Sequence, residues 1–179
     1  MKIAITQRII TIRGIDYDCL EHGWYNLLKH HEIIPVPNID DYVLPEVDCL
    51  ILSGGDNCEQ REFVETACFA SALNQGIPVV GICHGAFVLN RWHGGVNSKI
   101  DGHQDVEHTV TLEEQQHIVN SYHSICLDKL AEPLMVVAHT SEHTEAFKHY
   151  TLPIWGLIWH PERMATPVLP IELKELFFG

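Results

Sequence analysis

The first half of this chain alternates short apolar runs with longer stretches whose apolar residues recur at helical spacing. Lys2–Thr6, Ile33–Val36, Val47–Leu52 and Val79–Ile82 have the length and near-continuous hydrophobicity of strands buried on both faces. Between them, Cys19–His30 predicts an amphipathic helix. Arg61–Asn74 predicts a second, with Phe63, Ala67, Ala70 and Leu73 near one face and Gly76 placed to end it. The resulting order, β-α-β-β-α-β-turn-α, implies a parallel sheet covered by helices. The second half changes character. Val106–Leu112, Ile118–Asn120, Met135–His139, Glu145–His149 and Ile154–Trp159 are strand-like with short polar breaks, which predicts antiparallel additions or an edge. Ile171–Phe178, after Pro170, predicts a closing helix. No repeat, biased segment or linker divides the chain, so residues 1–179 are expected to form a single domain.

One junction in this pattern carries chemistry. The run Val79-Val80-Gly81-Ile82 feeds Cys83-His84-Gly85, and a helix-like stretch from Ala86 to Trp92 follows. This is the layout of a nucleophile elbow, a sharp strand-to-helix turn that presents one reactive side chain at the end of a sheet. Small residues at Gly81 and Gly85 keep that turn uncrowded, and the helix start favours a thiolate. Near the other end of the chain lies Trp159-His160-Pro161-Glu162-Arg163. Pro161 biases His160 toward an extended conformation, in which His160 and Glu162 would share a side about 6.6 Å apart. A carboxylate there can hold an imidazole toward a thiol, the general logic of nucleophile, base and orienting acid. Ser53-Gly54-Gly55 ends the preceding apolar strand, and its backbone amides, with that of His84, could form an oxyanion hole.

Composition removes several classes of function. A formal charge of −13 with 11 lysines and arginines leaves no basic cluster to neutralise phosphates, so no nucleic-acid partner is expected. No apolar run approaches the roughly 18 residues of a membrane span, and no membrane partner is expected. The six cysteines, Cys19, Cys49, Cys58, Cys68, Cys83 and Cys126, form no Cys-x-x-Cys pair. Scattered thiols with no signal peptide suit a reducing, cytoplasmic setting. Seven of the thirteen histidines (His103, His108, His117, His123, His139, His143 and His149) crowd the second half without a Cys/His ligand signature, so neither a metal nor an organic cofactor is expected.

Together, Cys83, His160, Glu162 and Ser53-Gly54-Gly55 resemble the triad (class I) glutamine amidotransferase superfamily, in particular its γ-glutamyl-γ-aminobutyrate hydrolase-like branch. Further matches follow in order at Thr6-Gln7-Arg8, Glu107 to Val110, Val119 to His123, Thr144-Glu145-Ala146 and Trp159 to Arg163. The resemblance implies an α/β, flavodoxin-like, doubly wound fold: a mixed, mostly parallel sheet with helices on both faces and the site at the strands' carboxyl ends. It also implies hydrolysis of a γ-glutamyl amide. Cys83 would form a γ-glutamyl thioester, His160 would shuttle protons, Glu162 would orient His160, and the Gly55 and His84 amides would hold the oxyanion. Gly54, Arg8, Asn120, Ser121, Tyr122 and His123 would contact a small-molecule γ-glutamyl substrate. The chain departs from the family where Cys-x-Gly-x-Gln is common: Phe87 stands in place of the glutamine-binding Gln. That argues against ordinary glutaminase activity, the ring either packing below the elbow or facing a bulkier leaving group. Resemblance to short relatives implies a γ-glutamyl conjugate as substrate, such as a γ-glutamyl nucleotide phosphoramidate or a γ-glutamyl-amine. Two rivals stay open: a glutaminase subunit delivering ammonia to a partner synthase, and a non-catalytic redox-sensing or binding protein on the same fold. A homodimer is open as well.

Overall fold

The computed structural model describes all residues from Met1 to Gly179. Its elements, in chain order, begin with β1 (Lys2–Thr6), the hairpin β2 (Arg8–Ile12) and β3 (Ile15–Cys19), and helix α1 (His22–Leu27). Then come β4 (Glu32–Val36), β5 (Cys49–Leu52), α2 (Glu59–Gln75), β6 (Val79–Ile82) and α3 (His84–Trp92). The second half holds β7 (Val96–Lys99), β8 (Gln104–Leu112), β9 (Gln115–Tyr122), β10 (Ile125–Lys129), β11 (Leu134–His139), β12 (Thr144–His149), β13 (Ile154–Leu157) and α4 (Ile171–Phe178). Nine strands form the central sheet in the order β4-β1-β5-β6-β13-β12-β11-β8-β9. The first five are mutually parallel, and each later pairing is antiparallel. One continuous apolar cluster joins the two halves, with Leu50, Leu52 and Ile82 from the parallel strands and Val110, Val119 and Phe147 from the antiparallel ones.

The parallel order explains the site. Successive parallel strands carry their carboxyl ends to one edge, so β5, β6 and β13 deliver Ser53-Gly54-Gly55, Cys83 and the His160 segment to neighbouring places. β13 is the return strand that makes this possible: it is last in sequence but pairs parallel with β6, placing Leu157 beside Ile82.

Two local expectations differ from the structure. The predicted helix over Cys19–His30 shortens to His22–Leu27, because Ile15–Cys19 pairs with Arg8–Ile12 across a two-residue turn at Arg13 and Gly14, both at positive φ. The hairpin sits outside the main sheet and leaves Ile12 and Ile15 exposed, so no buried face marked it in the sequence. Helix α2 turns the other way round. Phe63, Ala67, Ala70 and Leu73 face solvent, whereas Arg61, Val64, Glu65, Cys68 and Ala72 are buried. The inward stripe contains a buried ion pair, which a count of apolar positions misreads as a polar face. Short strands β7 and β10 form an additional antiparallel pair beside the main sheet. Gly76 does end α2, in the left-handed conformation expected there. No helix is long and apolar enough to cross a membrane.

Candidate active site

Cys83 stands where β6 turns into α3, with φ 49° and ψ −103°, a conformation that a side chain adopts only under strain. Its neighbours make the turn sterically possible. A methyl group at Gly81 would lie 2.6 Å from the Gly85 backbone, and one at Gly85 would lie 2.1 Å from the Leu52 carbonyl oxygen. The Cys83 N–H donates to the Leu157 carbonyl at 2.7 Å, which ties the elbow to the strand that carries His160. His84 begins α3, so its N–H belongs to the first helical turn, where no intrahelical acceptor exists.

His160 meets Cys83 from the end of β13. The pair His160 and Glu162 forms through a tighter path than extended chain: His160, at φ −110° and ψ 89°, stops short of the extended conformation, and Pro161–Arg163 closes into a 3-10 turn. Its Nδ1 lies 2.7 Å from Glu162 Oε1, and both side chains are buried. Burial alone would push the imidazole pKa down, yet its contacts with the Cys83 sulfur and the Glu162 carboxylate hold it up, at about 9. The backbone of His160 is fixed as well: Asn120 Nδ2 donates to its carbonyl at 2.9 Å, and its N–H donates to Asn120 Oδ1 at 2.8 Å. On the opposite side, a methyl group at Gly54 would come within 2.4 Å of His160 Cε1. The glycine thus lets the loop after β5 close against the ring.

Beneath the elbow lies a buried network that the sequence pattern concealed. Arg61 Nε and Thr6 Oγ1 donate to Glu65 Oε1 at 2.9 and 2.8 Å, and His84 Nε2 lies 3.1 Å from Glu65 Oε2. Arg61 also donates to the carbonyls of Ser53, Gly54 and Asp56, binding the whole Ser53–Asp56 loop to α2. Burial works against the Glu65 charge, but His84, Arg61 and Thr6 hold its pKa below the usual carboxylate value. A charged pair at i, i+4 on the stripe of Val64, Cys68 and Ala72 was the available signal.

A cavity of about 330 Å³ opens over Cys83, within the range of small-ligand sites. Gly55, His84, Phe87, Tyr122 and His123 border it. Phe87 is almost completely buried, with its ring tilted against that of His123 at 6.0 Å. A larger depression, about 630 Å³, lies among Lys2, Glu32 and Asp48 at the other end of the strands and is lined by no cysteine. The residues assigned to substrate contact therefore divide. Tyr122 and His123 line the cavity. Asn120 and Ser121 do not: Asn120 is engaged with His160, and the buried Ser121 hydroxyl donates to the His103 carbonyl at 2.6 Å. Gly54 packs against the imidazole instead of the cavity. Arg8 pairs with Glu21, whose carboxylate also takes Arg163 Nε at 2.9 Å.

The histidines of the second half, scattered in sequence, are not scattered in space. The rings of His103 and His108 lie 5.0 Å apart, those of His103 and His123 4.9 Å, and His143 approaches His103 at 5.8 Å.

An α/β sheet with a strained cysteine elbow, a histidine on the adjoining strand and an acid behind it defines a class of cysteine-dependent amide hydrolases. The chain belongs to the Peptidase C26 family, whose model matches residues 57–162. It is 30% identical to the γ-glutamyl-CDP-amidate hydrolase of Campylobacter jejuni, over 91% of this chain and 90% of that protein. It is 34% identical to a glutamine-hydrolysing GMP synthase subunit of Methanosarcina acetivorans, over 73% of each chain. Among solved structures, a glutamine amidotransferase of Thermotoga maritima superposes with a TM-score of 0.67 at 16% identity, covering 90% of this chain and 76% of that one. That likeness supports the flavodoxin-like α/β fold.

Proposed function

We propose that this protein hydrolyses the γ-glutamyl amide bond of a small γ-glutamyl conjugate, with Cys83 as nucleophile. The observation that carries the proposal is the buried line from Glu162 through His160 to the sulfur at the elbow. Cys83 gives its thiol proton to His160 as Sγ adds to the γ-carbonyl carbon, and the carbonyl π electrons move onto oxygen, where the amides of Gly55 and His84 receive the oxyanion. The C–N bond breaks as His160 gives its proton to the departing nitrogen, leaving a γ-glutamyl thioester. A water that loses its proton to His160 then adds to the thioester carbon. The C–S bond breaks and glutamate leaves. Glu162 keeps Nδ1 occupied so that Nε2 faces the sulfur.

Phe87 bears on the leaving group. Its buried ring occupies the cavity wall where the family commonly places a polar glutamine-binding side chain, which favours a conjugate over glutamine itself. The Campylobacter relative's name, in a chain of matching length, points the search to γ-glutamyl nucleotide phosphoramidates first. The decisive experiment is a leaving-group screen with mass-spectrometric detection of free glutamate. A γ-glutamyl phosphoramidate or γ-glutamyl-amine should turn over, and Cys83→Ala should lower kcat by at least about 10³-fold. Equal turnover by the variant would overturn the assignment.

The second reading, a glutaminase subunit for a partner synthase, is favoured by the relatives that serve GMP synthases. It predicts that the isolated chain ignores conjugates and hydrolyses glutamine only when a synthase is supplied. The free thiols suit a cytoplasmic setting for either reading.

A further inference from the structure

Four buried side-chain atoms without a hydrogen-bond partner converge behind the cavity: His103 Nδ1, His108 Nε2, His123 Nε2 and Glu145 Oε2. They come from three places in the antiparallel half: the approach to and body of β8, the end of β9, and β12. One ligand atom each from His103, His123 and Glu145 fit within 4.8 Å of one another. His108 Nε2 stands 3.4 Å from Glu145 Oε2, and His123 Nε2 3.9 Å from it. A tetrahedral ion with bonds of roughly 2.05 Å separates its ligands by about 3.3 Å, so contractions of up to about 1.5 Å would close His103, His123 and Glu145 on it, and His108, outside that trio but beside Glu145, would swing in further.

The tautomer of His123 is already set. Its Nδ1 lies 2.7 Å from the Ile125 carbonyl, an acceptor only, so Nδ1 carries the proton and Nε2 presents a lone pair toward Glu145. The His103 carbonyl accepts from both the Ser121 hydroxyl and the His123 N–H, which pins the loop that bears the first imidazole. Leaving four polar atoms unsatisfied in the interior is costly, and a single cation would satisfy all of them at once.

We propose that His103, His123 and Glu145, with His108 as fourth ligand, bind one divalent transition-metal ion of the zinc class at the inner wall of the cavity. Three imidazoles and one carboxylate suit zinc or cobalt and suit neither magnesium nor calcium, which prefer oxygen. The ion would join β8, β9 and β12 and hold His123, the residue shared by the cluster and the cavity. It takes no part in the proposed thioester chemistry.

The test is metal stoichiometry. Full-length protein stripped with a chelator is dialysed against cobalt or zinc, then assayed by elemental mass spectrometry and visible absorption. One ion per chain is expected, with the intense d–d bands of four-coordinate cobalt. Glu145→Gln and His103→Gln should each weaken binding at least 100-fold, as loss of a direct ligand exceeds the 10–100-fold typical of outer-shell partners. Exposed His30→Asn should change nothing, and Cys83→Ala should bind normally, so failure here is separable from failure of the hydrolase assignment. Circular dichroism checks each variant; if Glu145→Gln does not fold, the less buried His103→Gln carries the test. Folded wild-type protein that retains no ion, or equal retention by His103→Gln, would overturn the proposal.

Discussion

Glu65 and Glu145 are both buried carboxylates, one beside the parallel half of the sheet and one within the antiparallel half, and they are treated in opposite ways. Glu65 has Arg61, Thr6 and His84 at hydrogen-bond distance across its two oxygens. Glu145 Oε2 has imidazole nitrogens around it at 3.4 and 3.9 Å and a hydrogen bond to none of them. The first arrangement is complete in itself and fixes a backbone loop. In the second, the carboxylate and its neighbours are unpartnered together, as expected of groups arranged around something else. A buried charge is read by its unmet contacts as much as by its met ones.

The largest effect expected from this contrast is at Arg61. Replacing Arg61 with Met leaves the Glu65 charge buried beside fewer donors and should cost about 3–5 kcal/mol in urea unfolding. The Arg61→Met, Glu65→Gln double variant should recover part of that loss. A single-variant cost below about 1 kcal/mol would break the contrast.

Next comes the imidazole between the two halves. His160 binds its proton more tightly in the folded chain than at its ordinary pKa of 6.5, so its contribution is complete below pH 6.5 and is lost as pH climbs through about 9. The stability gap between wild type and His160→Asn should therefore shrink by on the order of 3 kcal/mol across that window. A constant gap in unfolding curves from about pH 6 to about pH 10 would show that the imidazolium is not held.

Asn120→Ala should have a smaller effect, on kcat more than on KM: about 10-fold, the equivalent of one net hydrogen bond in positioning the His160 backbone. An effect on KM alone would return Asn120 to a substrate-contact role. The smallest effect is expected at Glu145→Gln in metal-free buffer, within about 1 kcal/mol of wild type, because no partner is lost with the charge. A loss matching that of Arg61→Met would erase the distinction between the two carboxylates.

What the sequence made legible follows the same division. The elbow and the His160–Glu162 pair are contiguous motifs at the ends of parallel strands, so their spacing alone revealed them. The buried face of α2 was hidden because Arg61 and Glu65 occupy inward positions that hydrophobic periodicity scores as outward. The histidine cluster was hidden for a different reason. His103, His123 and Glu145 are separated by tens of residues, and only the antiparallel order of β8, β9 and β12 brings them together. Likewise Asn120 and Tyr122, two residues apart on one face of β9, both meet His160, whereas Ser121 between them turns to the His103 carbonyl.

The Asn120 clamp has a mechanical consequence. Strand β9 grips the His160 backbone at Asn120 and, two residues on, places Tyr122 at the cavity wall, with the Tyr122 ring edge-on to the imidazole at 5.6 Å. Under the proposed mechanism, a conjugate that presses on Tyr122 presses on the strand that also holds the His160 backbone. Under that mechanism, fit of the departing group and readiness of the base would be geared together.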